Sequence, residues 1–319
     1  MIVSPTHAIP GGGVLIAAAI YTNGCPVTLD IMMPFYGRVD HFVTAVESVL
    51  AQTDGDWRLV VLDDCYPDDA PGKWLVALGD TRIEYVRNTA NVGINANFQA
   101  AVDRAVNDWF VVFGCDDVML PRYVERIGEL RLRHPAAAMI HPGTTVIDGD
   151  GKAATTLVDS MKNLYKPRVS GSLEMSGERF AVSITRGNWM NFPAIAWRRE
   201  VVGPIGFRTG FEIVQDLALA LDVAFAGGSL VVDDETVFRY RRHAASVSSW
   251  QASEGRRFLE EHRFFDQIAG EFAERGWLRA RSAARVHLSS RINALSRVPS
   301  ALSSRQPASV RVLLQHAFT

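Results

Sequence analysis

Between Val27 and Asp148 the chain alternates short, almost continuously apolar runs with stretches of helical spacing. The runs are VTLDIMMPFY (27–36), WRLVVLDD (57–64), WFVVFGCDD (109–117) and AAMIHPGTTVID (137–148), with a third strand, short and more polar, at RIEYVRN (82–88). Short runs that are apolar at nearly every position suit strands buried on both faces. Between them, VDHFVTAVESVLAQ (39–52) repeats Phe42, Val43, Val46, Val49 and Leu50 at helical spacing. NVGINANFQAAVDRAV (91–106) turns helical after an Asn and a Gly, and PRYVERIGELRLRHP (121–135) opens with a proline, which the first helical turn tolerates. This alternation predicts an α/β fold with a mostly parallel, doubly wound central sheet flanked by helices.

Such sheets bind ligands beyond the carboxyl ends of their strands. Two aspartate pairs fall there: Asp63 and Asp64 after one run, Asp116 and Asp117 after another. Neighbouring like charges disfavour joint ionisation, so something positive is expected beside them. For Asp116 and Asp117 a divalent cation is one candidate, since Mg²⁺ and Mn²⁺ take carboxylate oxygens together with substrate phosphates. A solvated turn with a helix-capping aspartate is the other. Asp64 is placed either to hold a ribose hydroxyl or base N–H, or to cap the acidic loop DDCYPDDAP. No GxGxxG opens a helix and no GxxxxGK[ST] occurs, which argues against dinucleotide and P-loop sites. Lys73, Lys152, Lys162 and Lys166 all miss the end of a plausible fifth strand, which argues against a phosphotransfer receiver.

The next region reads differently. Residues 150–180 are expected to be loop-rich; a helix follows at EIVQDLALALDVAFAGG (212–228) and a strand at SLVVDDETVFRYRRH (229–243). Asp216, at the start of that helix, is favoured there by the helix dipole, and it also suits a general base. His243, after RYRR, reads as a metal or phosphate contact or as a structural imidazole. From 254 onward the pattern is helical, with Phe258, Phe265, Ile268 and Phe272 on one face.

Six of these pieces occur in a specific order, and together they resemble the family 2 inverting glycosyltransferases with the GT-A fold. IMMPFYGRVDHFVTAVESVLAQT looks like that family's opening strand and helix, WRLVVLDD like its second strand, and NVGINANFQAAV like its Asn-x-Gly helix start. GCDDVMLP looks like its DxD-type motif, GFEIVQDLALALDVAFAGG like its acid-bearing helix, and YRRHAASVS like its closing Arg-x-His segment. The resemblance covers Val27 to Ser248. It implies that Pro34, Phe35 and Tyr36 line a nucleoside pocket and that Asp64 holds base or ribose. It places Asn91, Gly93 and Asn97 at the border of the sugar nucleotide, and Asp116 on the ribose or sugar. It makes Asp117 a ligand of Mg²⁺ or Mn²⁺ bridging the diphosphate, with His243 completing that site, and Asp216 the base that deprotonates the acceptor hydroxyl. The implied reaction is metal-dependent, inverting transfer from a nucleotide-diphosphate sugar to a saccharide or lipid-linked acceptor. Three departures stand out: Cys115 before the aspartates, Gln215 where Glu usually precedes the base, and Gly37-Arg38 where Asn is common. A binding or scaffold protein with this fold and no turnover is the rival reading.

The expected division is an N-terminal extension (1–26), a transferase domain (27–248, with a nucleotide-binding half 27–120 and an acceptor half 121–248) and a basic helical region (249–319). The three cysteines, Cys25, Cys65 and Cys115, form no CxxC pair; this argues against a disulfide framework or zinc site and fits a reducing cytoplasm. Cys115 itself reads as a small buried residue at a strand end rather than a nucleophile. No run approaches the ~20 apolar residues that a membrane span needs. The net charge is −2, but 276–319 holds seven arginines and no acid, so the rest of the chain carries −9. The tail interleaves Trp277, Leu278, Val286, Leu288, Ile292, Leu295, Val310, Leu313 and Leu314 with those arginines. That pattern suits a helix pair lying on an anionic inner membrane face, and equally a tail packed on the acidic body or a homodimer contact. Nucleic acid is not expected, because clustered aromatics for base stacking are missing.

Overall fold

The computed structural model describes residues 28–155, 157–242, 256–303 and 307–318. The extension read at 1–26 and His243 lie outside the described residues.

Strands β1 (Leu29–Phe35), β2 (Trp57–Asp63), β3 (Ile83–Arg87) and β4 (Trp109–Val112) pair in parallel, in the order β3-β2-β1-β4. Helices α1 (Val39–Leu50), α2 (Ala70–Ala77) and α3 (Ile94–Arg104) make the crossovers. All seven residues of β1 are buried. Ile31, Met33 and Phe35 enter one core, with Phe42, Val46 and Val49 of α1, whereas Met32 enters the other. Pro34 costs no hydrogen bond, because pairing with β4 ends at Met32–Val112 and the edge is open beyond it. The chain order reverses between β1 and β4, so a crevice opens beyond their carboxyl ends.

The second half follows as β5 (Val118–Met119), α4 (Tyr123–Arg133), β6 (Met139–Ile147), α5 (Leu157–Tyr165), β7 (Ser172–Ser176), α6 (Gly177–Thr185), β8 (Ala196–Arg198), α7 (Arg199–Val202), α8 (Gln215–Phe225) and β9 (Ser229–Arg241). It extends the sheet as β4-β8-β6-β9-β5, with β7 also on β9. Here β8 is antiparallel to β4 and β6, while β6 and β9 run parallel. The fold is thus mixed α/β, with the parallel character concentrated in the first half. The stretch 150–180, expected to be loop-rich, instead holds α5, β7 and the start of α6. At Gly143 the register of β6 shifts, and an added Cβ would lie 2.5 Å from the Glu235 carbonyl oxygen, so only glycine lets β9 pass that close.

Four further helices close the chain: α9 (Arg256–Glu274), α10 (Leu278–Val286), α11 (Leu288–Ser303) and α12 (Pro307–Phe318). Phe264, Phe265, Ile268, Ala269 and Phe272 of α9 are buried in the same core as α6 and α8, and Ala280 and Ala284 of α10 join them. Helices α11 and α12 pack on Phe258 in a small core of their own.

Candidate active site

One side of the crevice is built at the ends of β1 and β2. Phe35 is fully buried, with its ring 4.2 Å from Phe42 and 5.0 Å from Tyr66; it supports the surface rather than forming it. Tyr36 is exposed and meets Tyr66 edge-on at 5.7 Å, so these two rings are the aromatic wall. Asp63 fixes Tyr66: its Oδ1 accepts the Tyr66 N–H at 2.7 Å, and its Oδ2 accepts the Tyr85 hydroxyl at 2.5 Å.

Asp64 points to the other side of β2. Its Oδ1 accepts from Asn88 Nδ2 (2.9 Å) and the Val92 N–H (2.8 Å), and its Oδ2 from the Gly93 N–H (2.9 Å). A carboxylate offers roughly four acceptor positions, so one remains for a ligand. Gly93 has φ +86°, a conformation glycine adopts without strain, and α3 starts directly after it. Asn91 is exposed and accepts that same Gly93 N–H at 3.1 Å. Asn97 is buried: it donates to the Leu62 carbonyl (2.9 Å) and accepts from Asn88 (3.3 Å). It braces α3 against β2 beneath the crevice.

The acid pair sits in a turn closed by the Asp117 N–H on the Gly114 carbonyl at 3.1 Å. Asp117 is buried; its Oδ1 accepts the Arg241 N–H at 2.7 Å, while its Oδ2 is buried without a protein partner. Burial, and then the charge of Asp116, push the Asp117 carboxyl well above the usual carboxylate range, against the pull of Arg241. The positive group expected beside the pair is Arg241 of β9. Its Nε donates to the Asp116 carbonyl at 2.6 Å, and one terminal nitrogen donates to the carbonyls of Asp148 (3.0 Å) and Gly149 (3.1 Å). A Cβ on Gly114 would fall 2.5 Å from Asp117 Oδ2 and 3.0 Å from Asp116 Oδ1, so glycine keeps the cradle open. The orphaned Oδ2 beside a second carboxylate is the donor set a hard divalent cation fits. Burial raises the Cys115 thiol far above its usual range, which keeps it protonated and inert.

Asp216 stands in the first turn of α8, where its Oδ1 accepts the Leu217 N–H at 2.7 Å. Asn188 Nδ2 approaches its Oδ2 at 3.5 Å. Tyr240 of β9 is the common neighbour of the acids. Burial is the main reason its phenol is raised, and the charges of Asp117, Asp116 and Asp216 all add to the rise while Arg242 opposes it. Beside Asp216 lies a cavity of about 510 Å³, lined by Lys162, Asn188, Leu217, Arg257, Phe265 and Ser290 among others. Lys162 donates to the Met190 carbonyl at 3.2 Å, and burial lowers its ammonium to about 8 despite the opposing charge of Asp216.

The structure thus gathers Tyr36, Asp64, Gly93, Asp116, Asp117 and Asp216 along one edge, with Phe35 and Asn97 beneath it. Sequence reading missed Tyr66, Lys162, Asn188, Tyr240 and Arg241. Only Tyr240 and Arg241 carried a signal, in the charged run RYRR that closes an apolar strand.

Comparison with known proteins agrees with this geometry. Succinoglycan biosynthesis protein ExoO of Rhizobium meliloti is 30% identical over 215 residues, 67% of this chain and 60% of its own. An uncharacterized glycosyltransferase of Nostoc sp. is 24% identical over 229 residues, 68% of this chain and 66% of its own. The chain therefore spans less than two thirds of the length of either relative. The crystal structure of S. aureus TarS 1-349 superposes with a TM-score of 0.63 at 12% identity, covering 91% of this chain and 81% of that one, which establishes a shared GT-A fold. TarS in complex with UDP-GlcNAc superposes with a TM-score of 0.55 at 11% identity, over 90% of each chain. Residues 30–184, which hold the parallel strands and the acid turn, match the profile of glycosyl transferase family 2.

Proposed function

We propose that this chain is an inverting, divalent-cation-dependent glycosyltransferase that moves a sugar from a nucleotide-diphosphate sugar to a hydroxyl of a saccharide or lipid-linked acceptor. The observation that carries the reading is the acid turn at the carboxyl edge of the sheet, where Gly114 leaves room beside Asp116 and Asp117 and the buried Asp117 Oδ2 has no protein partner. The complex of TarS with UDP-GlcNAc supports a uridine-type donor, and the role named for ExoO supports a polysaccharide acceptor.

The mechanism assigns each group a task. Tyr36 and Tyr66 receive the base, and the remaining acceptor position on Asp64 takes a base N–H or ribose hydroxyl. Asp117 and Asp116 would hold Mg²⁺ or Mn²⁺, which neutralises charge developing on the departing diphosphate; His243 would complete that set. The Gly114 cradle and Arg241 hold the carboxylates in place before the donor arrives, so little reorganisation is needed. Asp216 takes the proton from the acceptor hydroxyl as it attacks, and Asn188 orients its carboxylate. Displacement on the face opposite the leaving group inverts the anomeric carbon. Although Arg257 pairs with Glu261 at 2.7 Å, Lys162, Arg257 and Arg297 outnumber that carboxylate on the cavity wall, which suits an acceptor with anionic groups. The catalytic unit in this reading is 27–248, with a nucleotide-binding half 27–120 and an acceptor half 121–248.

The test is release of nucleoside diphosphate from a panel of nucleotide sugars with Mn²⁺. Wild type is expected to turn over at least one donor. Asp216→Asn should keep the donor's thermal shift and lose about 100- to 10,000-fold in kcat. Donor binding without turnover in wild type would favour the non-catalytic reading. Parallel loss of binding and turnover in Asp216→Asn would make Asp216 structural.

A further inference from the structure

Three histidines from separate segments meet among the C-terminal helices. His262 lies on α9, His287 between α10 and α11, and His316 on α12. One ring nitrogen from each lies within 4.8 Å of the other two. Each ring has one nitrogen engaged and one buried without a partner. His287 Nδ1 donates to the Ala284 carbonyl at 2.8 Å, leaving Nε2 unpartnered. His316 Nε2 donates to Ser290 Oγ at 2.6 Å, and that hydroxyl donates onward to Glu261, leaving Nδ1 unpartnered. His262 Nε2 faces Asp266 Oδ2 at 3.5 Å, leaving Nδ1 unpartnered.

This is the arrangement that metal-binding imidazoles adopt. The outer nitrogen gives its proton to a carboxylate, a carbonyl or a relay to one, and the inner lone pair faces the ion. Without a ligand, three buried ring nitrogens in one cluster would each be left as unmet hydrogen-bonding groups. The backbone adds a second sign. His287 has φ +25°, in the left-handed region that favours glycine, yet an imidazole occupies the helix–helix junction.

We propose that His262, His287 and His316 bind one transition-metal ion of the zinc type, a site separate from the Asp117 locus. Three imidazoles suit Zn²⁺ far better than Mg²⁺ or Mn²⁺, which prefer oxygen. The expectation against a zinc site, drawn from the cysteines, does not extend to three imidazoles, which need no thiolate. The ion would tie α9, α12 and the α10–α11 junction together. Glu261 and Ser290, which orient His316, also line the cavity beside Asp216, so the ion would stiffen that wall.

The experiment uses the tag-free full chain, stripped with chelator and titrated with zinc alone, with bound metal measured by elemental analysis and stability by thermal melting. One ion per chain with a raised Tm is expected in wild type and equally in Asp117→Asn. His262→Gln, whose ring is the most exposed of the three, should keep its circular dichroism spectrum and lose the ion. Cobalt loaded into Asp117→Asn should show the strong visible bands of a low-coordinate nitrogen site, a readout that survives if the histidine variant misfolds. Absence of stoichiometric zinc in wild type, zinc uptake by His262→Gln equal to wild type, or loss of the ion in Asp117→Asn would each overturn the proposal. So would a weak cobalt spectrum of the octahedral oxygen-ligated type.

Discussion

Asp117 has one oxygen on the Arg241 amide and one with no protein partner, and both are buried. Its raised pKa means that the folded chain keeps a proton which the unfolded chain releases above the ordinary aspartate value of about 3.9. The stability it contributes is complete below that value and is lost as pH rises through the raised pKa. The metal-free protein should therefore show a Tm that falls as pH is raised from about 4, and Asp117→Asn should flatten that fall while removing most activity. Thermal melts against pH, with and without Mn²⁺, check this; an unchanged pH profile in the variant would refute it. Mn²⁺ should raise the Tm of wild type at neutral pH more than that of the variant, because it offsets the buried charge. Gly114→Ala tests the same cradle from the backbone side. Its Cβ meets Asp117 Oδ2 at 2.5 Å, so displaced carboxylates should lower kcat by at least tenfold while the donor-side residues Tyr36 and Asp64 stay in place.

Strand β9 does more than close the sheet. Over thirteen residues it pairs with β5, β6 and β7, and its last residue, Arg241, holds the acid turn and the 148–149 turn together. Arg241→Lys keeps the charge but cannot donate in three directions from one planar fork. It should cost about 1–3 kcal/mol in stability, measured by urea unfolding, and should lower activity without changing which donor is used. The strands most legible in the sequence were those whose burial is two-sided. β1, β2 and β4 are apolar at nearly every position because helices cover both faces of the sheet. β7 (SLEMS) and β8 (AWR) are too short to show a period, and α5 (LVDSMKNLY) sits in polar surroundings that read as loop. The site divides the same way. Asp64, Asp116, Asp117 and Asp216 were legible because carboxylates at strand and helix ends need a reason. Asn188 and Lys162 come to the site only through tertiary packing, which local pattern does not encode, and Tyr66, two residues after Asp64, lies in a loop whose acidic pattern gave it no role.

At the scale of the molecule, charge and apolar exposure coincide on the C-terminal helices. Leu278, Val286, Leu288, Ile292, Leu295, Leu302, Leu314 and Phe318 are exposed there, as are Arg279, Arg285, Arg297 and Arg311, whereas Leu313 is buried. Among the described residues no helix is long and apolar enough to cross a membrane. We expect the chain to float with liposomes containing anionic lipid and not with neutral ones. Each basic residue at such a surface contributes about 1 kcal/mol, and the attraction should fade with salt. Equal failure to bind both, in a protein active on soluble acceptors, would leave these helices to self-association or to contact with the acidic body. A different consequence follows from α9, whose Phe264, Phe265, Ile268 and Phe272 share a core with the helix that carries Asp216. Exchanging C-terminal segments between relatives is an obvious way to redirect acceptor choice. In this chain such a chimera would have to carry its own interior across the graft, because Phe265 both lines the cavity proposed for the acceptor and packs in the core beneath Asp216.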